Sequence, residues 1–169
     1  MRLTIGIDPG IEPAIAAVDN DGRLLGCNRI IKVGKEMNVS AFQKYIQGFC
    51  STEKHQHVYI EKAQAMPGQG VVSMFNYGKS FGTILGVLTA MCIPYTLVAP
   101  QTWKKTMLID MNKSDKNASR LRAMQLWPDW AEFFKRKCDQ HIAEAALIAE
   151  HGRKINSARG NHGNDDCAY

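Results

Sequence analysis

With 169 residues and 18.8 kDa, the chain has the size of one domain able to bury its own core. Its 45% hydrophobic and 22% charged residues are those of a soluble globular protein and argue against a low-complexity or fibrous chain. A net charge of +5 with a pI near 9.0 favours a polyanionic partner. The five cysteines, none in C-x-x-C spacing, argue against a disulfide scaffold or structural zinc and fit a reducing cytoplasm.

The first residues enter a strand pattern directly, so no signal peptide is expected. Three strands are predicted at the start: Leu3–Asp8, Ala14–Asp19 and Leu24–Ile31, with Asn20-Asp21-Gly22 as a hairpin turn. Val39–Cys50 carries Phe42, Tyr45, Ile46 and Phe49 at helical spacing. Asn38 or Ser40 is placed to cap it. Val58–Lys62 is a short apolar strand, expected to be central and parallel to the first because a helix intervenes.

Ala63–Gly70 is expected to be a flexible loop, followed by one helix from Val71 to Cys92. Gly78, Gly82, Gly86 and Ala90 recur there every fourth residue, a stripe that lets another backbone approach closely. Packing on the protein's own sheet and packing on a second subunit both explain it. Cys50 and Cys92 fall in apolar helical patterns, where a thiol behaves as a small hydrophobe. The apolar stretch Phe81–Val98 contains Pro94 and reads as a helix end plus the strand Tyr95–Val98, not as a membrane span. Trp103-Lys104-Lys105 opens a basic helical segment. Asn117–Leu126 and Asp129–Phe134 predict shorter helices and Asp139–His151 a buried one. Residues 1–156 then form the folded domain, and Ser157–Tyr169, with almost nothing to bury, is expected to be a disordered tail. The order is that of an α/β layer with a mixed sheet.

Acidic residues close two of the strands. Asp8 ends Leu3-Thr4-Ile5-Gly6-Ile7, and Glu61 ends Val58-Tyr59-Ile60. In the last helix His141 precedes Glu144 by three residues and so shares its face. Asp8-Pro9-Gly10 alone is also good turn chemistry. A carboxylate finishing a buried strand, however, is costly unless paired or metal-bound. Two strand-end carboxylates met by a helix acid suit a hard cation such as Mg²⁺ held beside a phosphate. Asp139 is a further acid but lies on another face. Gln140 faces the site and is a poor ligand.

The order Gly6-Ile7-Asp8-Pro9-Gly10, Tyr59-Ile60-Glu61-Lys62, Ala99-Pro100-Gln101-Thr102-Trp103-Lys104 and His141-Ile142-Ala143-Glu144-Ala145-Ala146-Leu147-Ile148-Ala149 resembles RuvC-type Holliday junction resolvases, most of all their divergent phage and prophage branch. The resemblance implies an RNase H-like fold with a mixed five-stranded sheet flanked by helices. It implies a homodimer, formed through helix 71–92 with its Gly78, Gly82 and Gly86 stripe, in a bacterial host cell. It also implies a crossover junction endodeoxyribonuclease that makes paired symmetric nicks with Mg²⁺, or Mn²⁺ in its place, two ions per site, leaving 5′-phosphate and 3′-hydroxyl ends. Asp8, Glu61 and Glu144 match the family's acids, and His141 falls where it carries an acid or a histidine. Two features depart from the pattern: Ile11-Glu12-Pro13-Ala14 replaces a glycine-containing turn, and the helix acid is Glu where cellular members commonly have Asp.

His141 is expected to position or deprotonate the attacking water. Phosphate contacts are expected from Lys104, Lys105, Lys113, Lys116, Arg120, Arg122 and Lys135–Lys137, the alternative being plain solvated charges. Phe75 and Tyr77 are candidates to stack on opened bases, with a core position as the alternative for Phe75. Met66, Gln69 and the loop glycines are candidates for the exchange point. Three competing readings are another RNase H-fold nuclease acting on branched DNA or RNA–DNA hybrids, a catalytically silent junction binder, and an actin-like or sugar-kinase-type phosphate-binding protein. The last needs a second lobe for which this chain is too short.

Overall fold

The computed structural model describes residues 2–50, 55–64, 68, 70–112 and 115–160. The five strands are β1 (Arg2–Asp8), β2 (Ala14–Val18), β3 (Leu24–Arg29), β4 (His55–Glu61) and β5 (Tyr95–Val98). They form one mixed sheet in the order β3-β2-β1-β4-β5. β2 and β3 run antiparallel to their neighbours, while β4 is parallel to β1 and to β5. The parallel pairing follows from the crossover helix α1 (Val39–Cys50) between β1–β3 and β4. The antiparallel arm follows from the Asp21-Gly22 turn. Gly22 there takes φ +82°, and the Asp19 carboxylate accepts the Asp21 and Arg23 amides at 2.9 Å each.

Residues alternate across β1, which buries both of its faces. Leu3, Ile5 and Ile7 join Val58 and Ile60 against Phe42 and Ile46 of α1 and Ile84 and Leu88 of α2 (Val71–Ala90). On the other face Tyr59, Ala14 and Ala16 meet Ala145, Ala146, Ala149 and Ile148 of α5 (Gln140–Gly160), with α3 (Pro100–Met107) and α4 (Ala118–Leu126) completing the layer. The sheet therefore lies between two helical layers.

α5 is seated by an absence of side chains. A Cβ on Gly6 would collide with the backbone of Ala145 and Ala149, and one on Gly152 would enter the Tyr59 ring. The alanines that looked merely apolar in the sequence are what lets the helix backbone touch the strand.

Besides shifts at the ends of β2, β3 and β4, three differences from expectation have a structural content. α5 runs on through Ser157 to Gly160, so the tail cannot begin at 157; residues 161–169 lie outside the described residues. Asn156 accepts the Tyr59 hydroxyl at 2.7 Å, and the Glu150–Arg153 pair at 2.6 Å holds the β2–β3 turn through the Asn20 carbonyl. These ties extend the helix. α2 stops at Ala90, and Cys92 is exposed with φ +55°, not a buried hydrophobe. Its amide bonds Thr89 and that of Ile93 bonds Leu88, at 3.0 and 2.9 Å, closing the helix in the way glycine usually does. The Asp129–Phe134 segment is a 3-10 stretch, Pro128–Phe134. Among the described residues no helix is long and apolar enough to cross a membrane.

Candidate metal centre

The register that pairs Ile7 with Ile60 leaves Asp8 and Glu61 as the next residues of adjacent parallel strands. By the two-residue period both side chains lie on the α5 face. α5 crosses that face and brings His141 and Glu144 to Asp8. One ligand atom from each of Asp8, His141 and Glu144 lies within 4.8 Å of the others. Glu61 stands outside that tight group, and its Oε2 accepts the Trp103 indole N–H at 2.7 Å.

Each acid has its own holder. His141 Nδ1 lies 2.6 Å from Asp8 Oδ2. With Asp8 ionised the carboxylate can only accept, so Nδ1 is the donor; in the neutral imidazole Nε2 then keeps its lone pair, on a side chain 59% exposed. Glu144 accepts Ser119 Oγ at 3.2 Å and Gln140 Nε2 at 3.1 Å, and Lys104 Nζ stands 3.8 Å from it. Lys104 also sits over the Trp103 ring, 5.1 Å from its centroid. From α2, Ser80 Oγ bonds the Gly10 carbonyl and pins the turn that follows Asp8.

Crowding of acids shows in their protonation. Burial pushes Glu61 up to about 7, and the Asp8 charge adds to it. Asp8 is also raised, first by burial, with the His141 bond opposing and Glu144 adding. His141 is raised chiefly by its bond to Asp8. Burial raises the Tyr77 hydroxyl to about 12, with the Asp8 and Glu61 charges contributing. A cation bound among these acids would favour their ionised forms. The donors fit one: carboxylate oxygens suit Mg²⁺ and Mn²⁺, and an imidazole nitrogen is compatible with Mn²⁺.

The remaining expected residues divide. Asp139 is buried and engaged by Arg136, accepting its Nη2 at 3.0 Å and its amide at 2.9 Å to start the final helical segment; it stands outside the tight group of Asp8, His141 and Glu144. Arg120 is corrected from surface phosphate contact to interior staple. It is 9% exposed, and its guanidinium donates to the carbonyls of Phe134 (3.1 Å) and Lys135 and to Asn117 Oδ1. Arg122 is half-buried against Gln125. Lys105 and Lys116 are exposed, as are Lys135, Arg136 and Lys137. Phe75 is not core: it is 69% exposed near the start of α2, beside exposed Val71 and Val72. Met66, Gln69 and Lys113 lie outside the described residues. A Cβ at Gly78, Gly82 or Gly86 would meet nothing within 4 Å, so the stripe does not pack on the chain's own sheet. Sequence reasoning missed the roles of Trp103, Ser119 and Ser80. Trp103 did stand in a quoted motif, but an aromatic at that position signals core before it signals a donor.

No protein-family model and no curated protein matches the chain. Solved structures do. RuvC of T. thermophilus in complex with a Holliday junction substrate aligns with TM-score 0.69 at 16% identity, covering 93% of this chain and 96% of that one. Another Thermus thermophilus RuvC structure gives 0.66 at 17%, covering 92% and 96%. The Fowlpox virus resolvase, crystallised with substrate Holliday junction DNA, gives 0.50 at 15%, covering 89% and 98%. At such identities the likeness is one of fold: the chain has the RNase H-like architecture of these resolvases.

Proposed function

We propose that this chain is a divalent-metal-dependent endonuclease that resolves four-way DNA junctions by paired symmetric nicks, leaving 5′-phosphate and 3′-hydroxyl ends. The observation that carries the reading is the convergence of Asp8, His141 and Glu144 within 4.8 Å, with Glu61 on the adjoining strand. In this reading Asp8, Glu61 and Glu144 hold Mg²⁺ or Mn²⁺, two ions per site, with His141 beside them. Held by these residues, divalent cations would lower the pKa of the attacking water and neutralise charge on the scissile phosphate and leaving oxygen.

The protein's own groups do the rest. Asp8 orients His141 so that Nε2 faces outward, where it can take a proton from water or complete the ligand set. Lys104 balances Glu144 and lies close enough to meet a phosphate. Lys105, Lys116, Arg122 and the run Lys135–Lys137 supply non-specific phosphate contacts. Phe75 and its apolar neighbours at the start of α2 supply a stacking surface for bases opened at the exchange point.

Two symmetric nicks need two copies of the site. The exposed Gly78-Gly82-Gly86 stripe supports a homodimer through α2, since two helices can approach closely there. The cytoplasm of a bacterial host and a phage or prophage origin belong to the same proposal and are supported by the sequence resemblance alone.

The test is cleavage of a synthetic mobile four-way junction, set against duplex, flap and RNA–DNA hybrid substrates. Paired symmetric nicks are expected with Mg²⁺ or Mn²⁺ and none with EDTA. Asp8→Asn should abolish nicking and retain junction binding. Nicking by Asp8→Asn, or after thorough chelation, overturns the chemistry; preferential cleavage of hybrid overturns the substrate.

A further inference from the structure

α3 stands behind the acids and touches two of them through adjacent residues. Trp103 is wholly buried, and its Nε1 donates to Glu61 Oε2 at 2.7 Å. Lys104, next in sequence, reaches Glu144 Oε1 at 3.8 Å while lying over the same indole, 5.1 Å from its centroid. An indole has one N–H and no acceptor. It therefore bonds a carboxylate in one sense only and cannot compete for a cation.

Asp8 is oriented by His141, and Glu144 by Ser119 and Gln140. Glu61 has Trp103 in that place. Glu61 is also the acid that lies outside the 4.8 Å group, so its orientation matters most to whether it joins a shared cation. We infer that Trp103 is a positioning residue that holds Glu61 Oε2 back and presents Oε1 toward Asp8, making Glu61 a ligand of fixed orientation. The inference rests on the reading of Glu61 as a metal ligand. Hydrogen-bond partners of metal-binding carboxylates are worth about 10–100-fold in metal affinity, and a buried indole N–H in a fully packed setting has that capacity. A tryptophan that only fills space would contribute nothing through its N–H.

The experiment measures Mn²⁺ binding to the intact protein by loss of the free-ion EPR signal, with no DNA present. Four forms are compared: wild type, Asp8→Asn, Trp103→Phe, and protein with benzothienylalanine at position 103. The last keeps the fused ring and its volume but replaces N–H by sulfur. Mn²⁺ binding about tenfold weaker than wild type is expected for both position-103 forms, and the benzothienylalanine protein, which keeps the ring's volume, should remain folded with a single cooperative melting transition. Wild-type affinity in the benzothienylalanine protein overturns the inference, even if Trp103→Phe is impaired, because the defect is then one of packing. If Asp8→Asn binds Mn²⁺ as wild type does, the metal reading itself fails and this one with it.

Discussion

The carbonyl oxygen of Ala145 occupies the place where a β-carbon on Gly6 would be, so the backbones of α5 and β1 touch directly. That contact sets the distance between Asp8, two residues along β1, and Glu144, one residue before Ala145. Gly6→Ala should separate helix from strand, because the obstacle is backbone that cannot swing aside. A loss of about 3 kcal/mol is expected, at the upper end for overpacking, together with weakened Mn²⁺ binding. Gly48→Ala is the control. It lies inside α1 with nothing within 4 Å of its added carbon, and it should gain about 0.5–1 kcal/mol from helix propensity. Equal denaturation midpoints for Gly6→Ala and wild type would remove this contact from the explanation of the site.

Arg120 and Lys105 look alike in the sequence and should behave oppositely. Arg120 donates to two carbonyls and to Asn117 from a position 9% exposed. Arg120→Leu strands those acceptors and should cost about 2–3 kcal/mol, while the salt dependence of junction binding by the folded protein stays as it was. Lys105→Ala should leave stability within about 0.5 kcal/mol and lower the log–log salt slope by about one, as loss of a phosphate contact does. Urea melts and binding titrations across salt concentrations read both effects.

That contrast shows what the sequence could and could not reveal. Strand ends carrying Asp8 and Glu61, the parallel β4 and the His141–Glu144 face all follow from local periodicity, so they were legible. Arg120 was not, because α4 buries Ala118, Ser119, Arg120 and Ala123, and a basic residue in a weakly patterned helix gives no sign of pointing inward. The length of α5 was hidden for a related reason. Its last turns are stabilised by Tyr59 and by the β2–β3 turn, partners remote in the chain. Cys92 ends α2 in a left-handed conformation without the glycine that would have announced it. The Trp103–Glu61 bond needs β4 and α3 already docked, which no spacing encodes.

Protonation of the acids predicts a pH signature of the metal-free protein. Glu61 ordinarily titrates near 4.5 and is raised by burial to about 7. Between those values the folded state holds a proton that the unfolded state has lost, so stability falls as pH rises through this window. Asp8 is raised in the same sense. His141 is raised too, by its bond to Asp8, so its contribution is full below the unfolded value and lost as pH climbs through the folded one. Buried His151 is lowered by desolvation and works the other way, so the quantity to read is a difference. Melting in EDTA from pH 5 to 8 should show Glu61→Gln gaining on wild type as pH rises, and Mn²⁺ should rescue wild type more at pH 8 than at pH 5. A gap between the two proteins that does not change with pH would contradict the proton-holding site.

Gly82 tests the dimer. Within the chain a β-carbon there meets nothing within 4 Å, so Gly82→Leu has room in a monomer and trades a glycine for a good helix former. If a second copy of α2 lies across the stripe, the leucine side chain intrudes on its backbone. Gly82→Leu should therefore sediment as a monomer, melt no lower than wild type under conditions where wild type is also monomeric, and still bind Mn²⁺. Junction cleavage should shift from paired nicks to single uncoupled ones. A Gly82→Leu protein that remains dimeric in sedimentation would move the subunit contact away from this helix face.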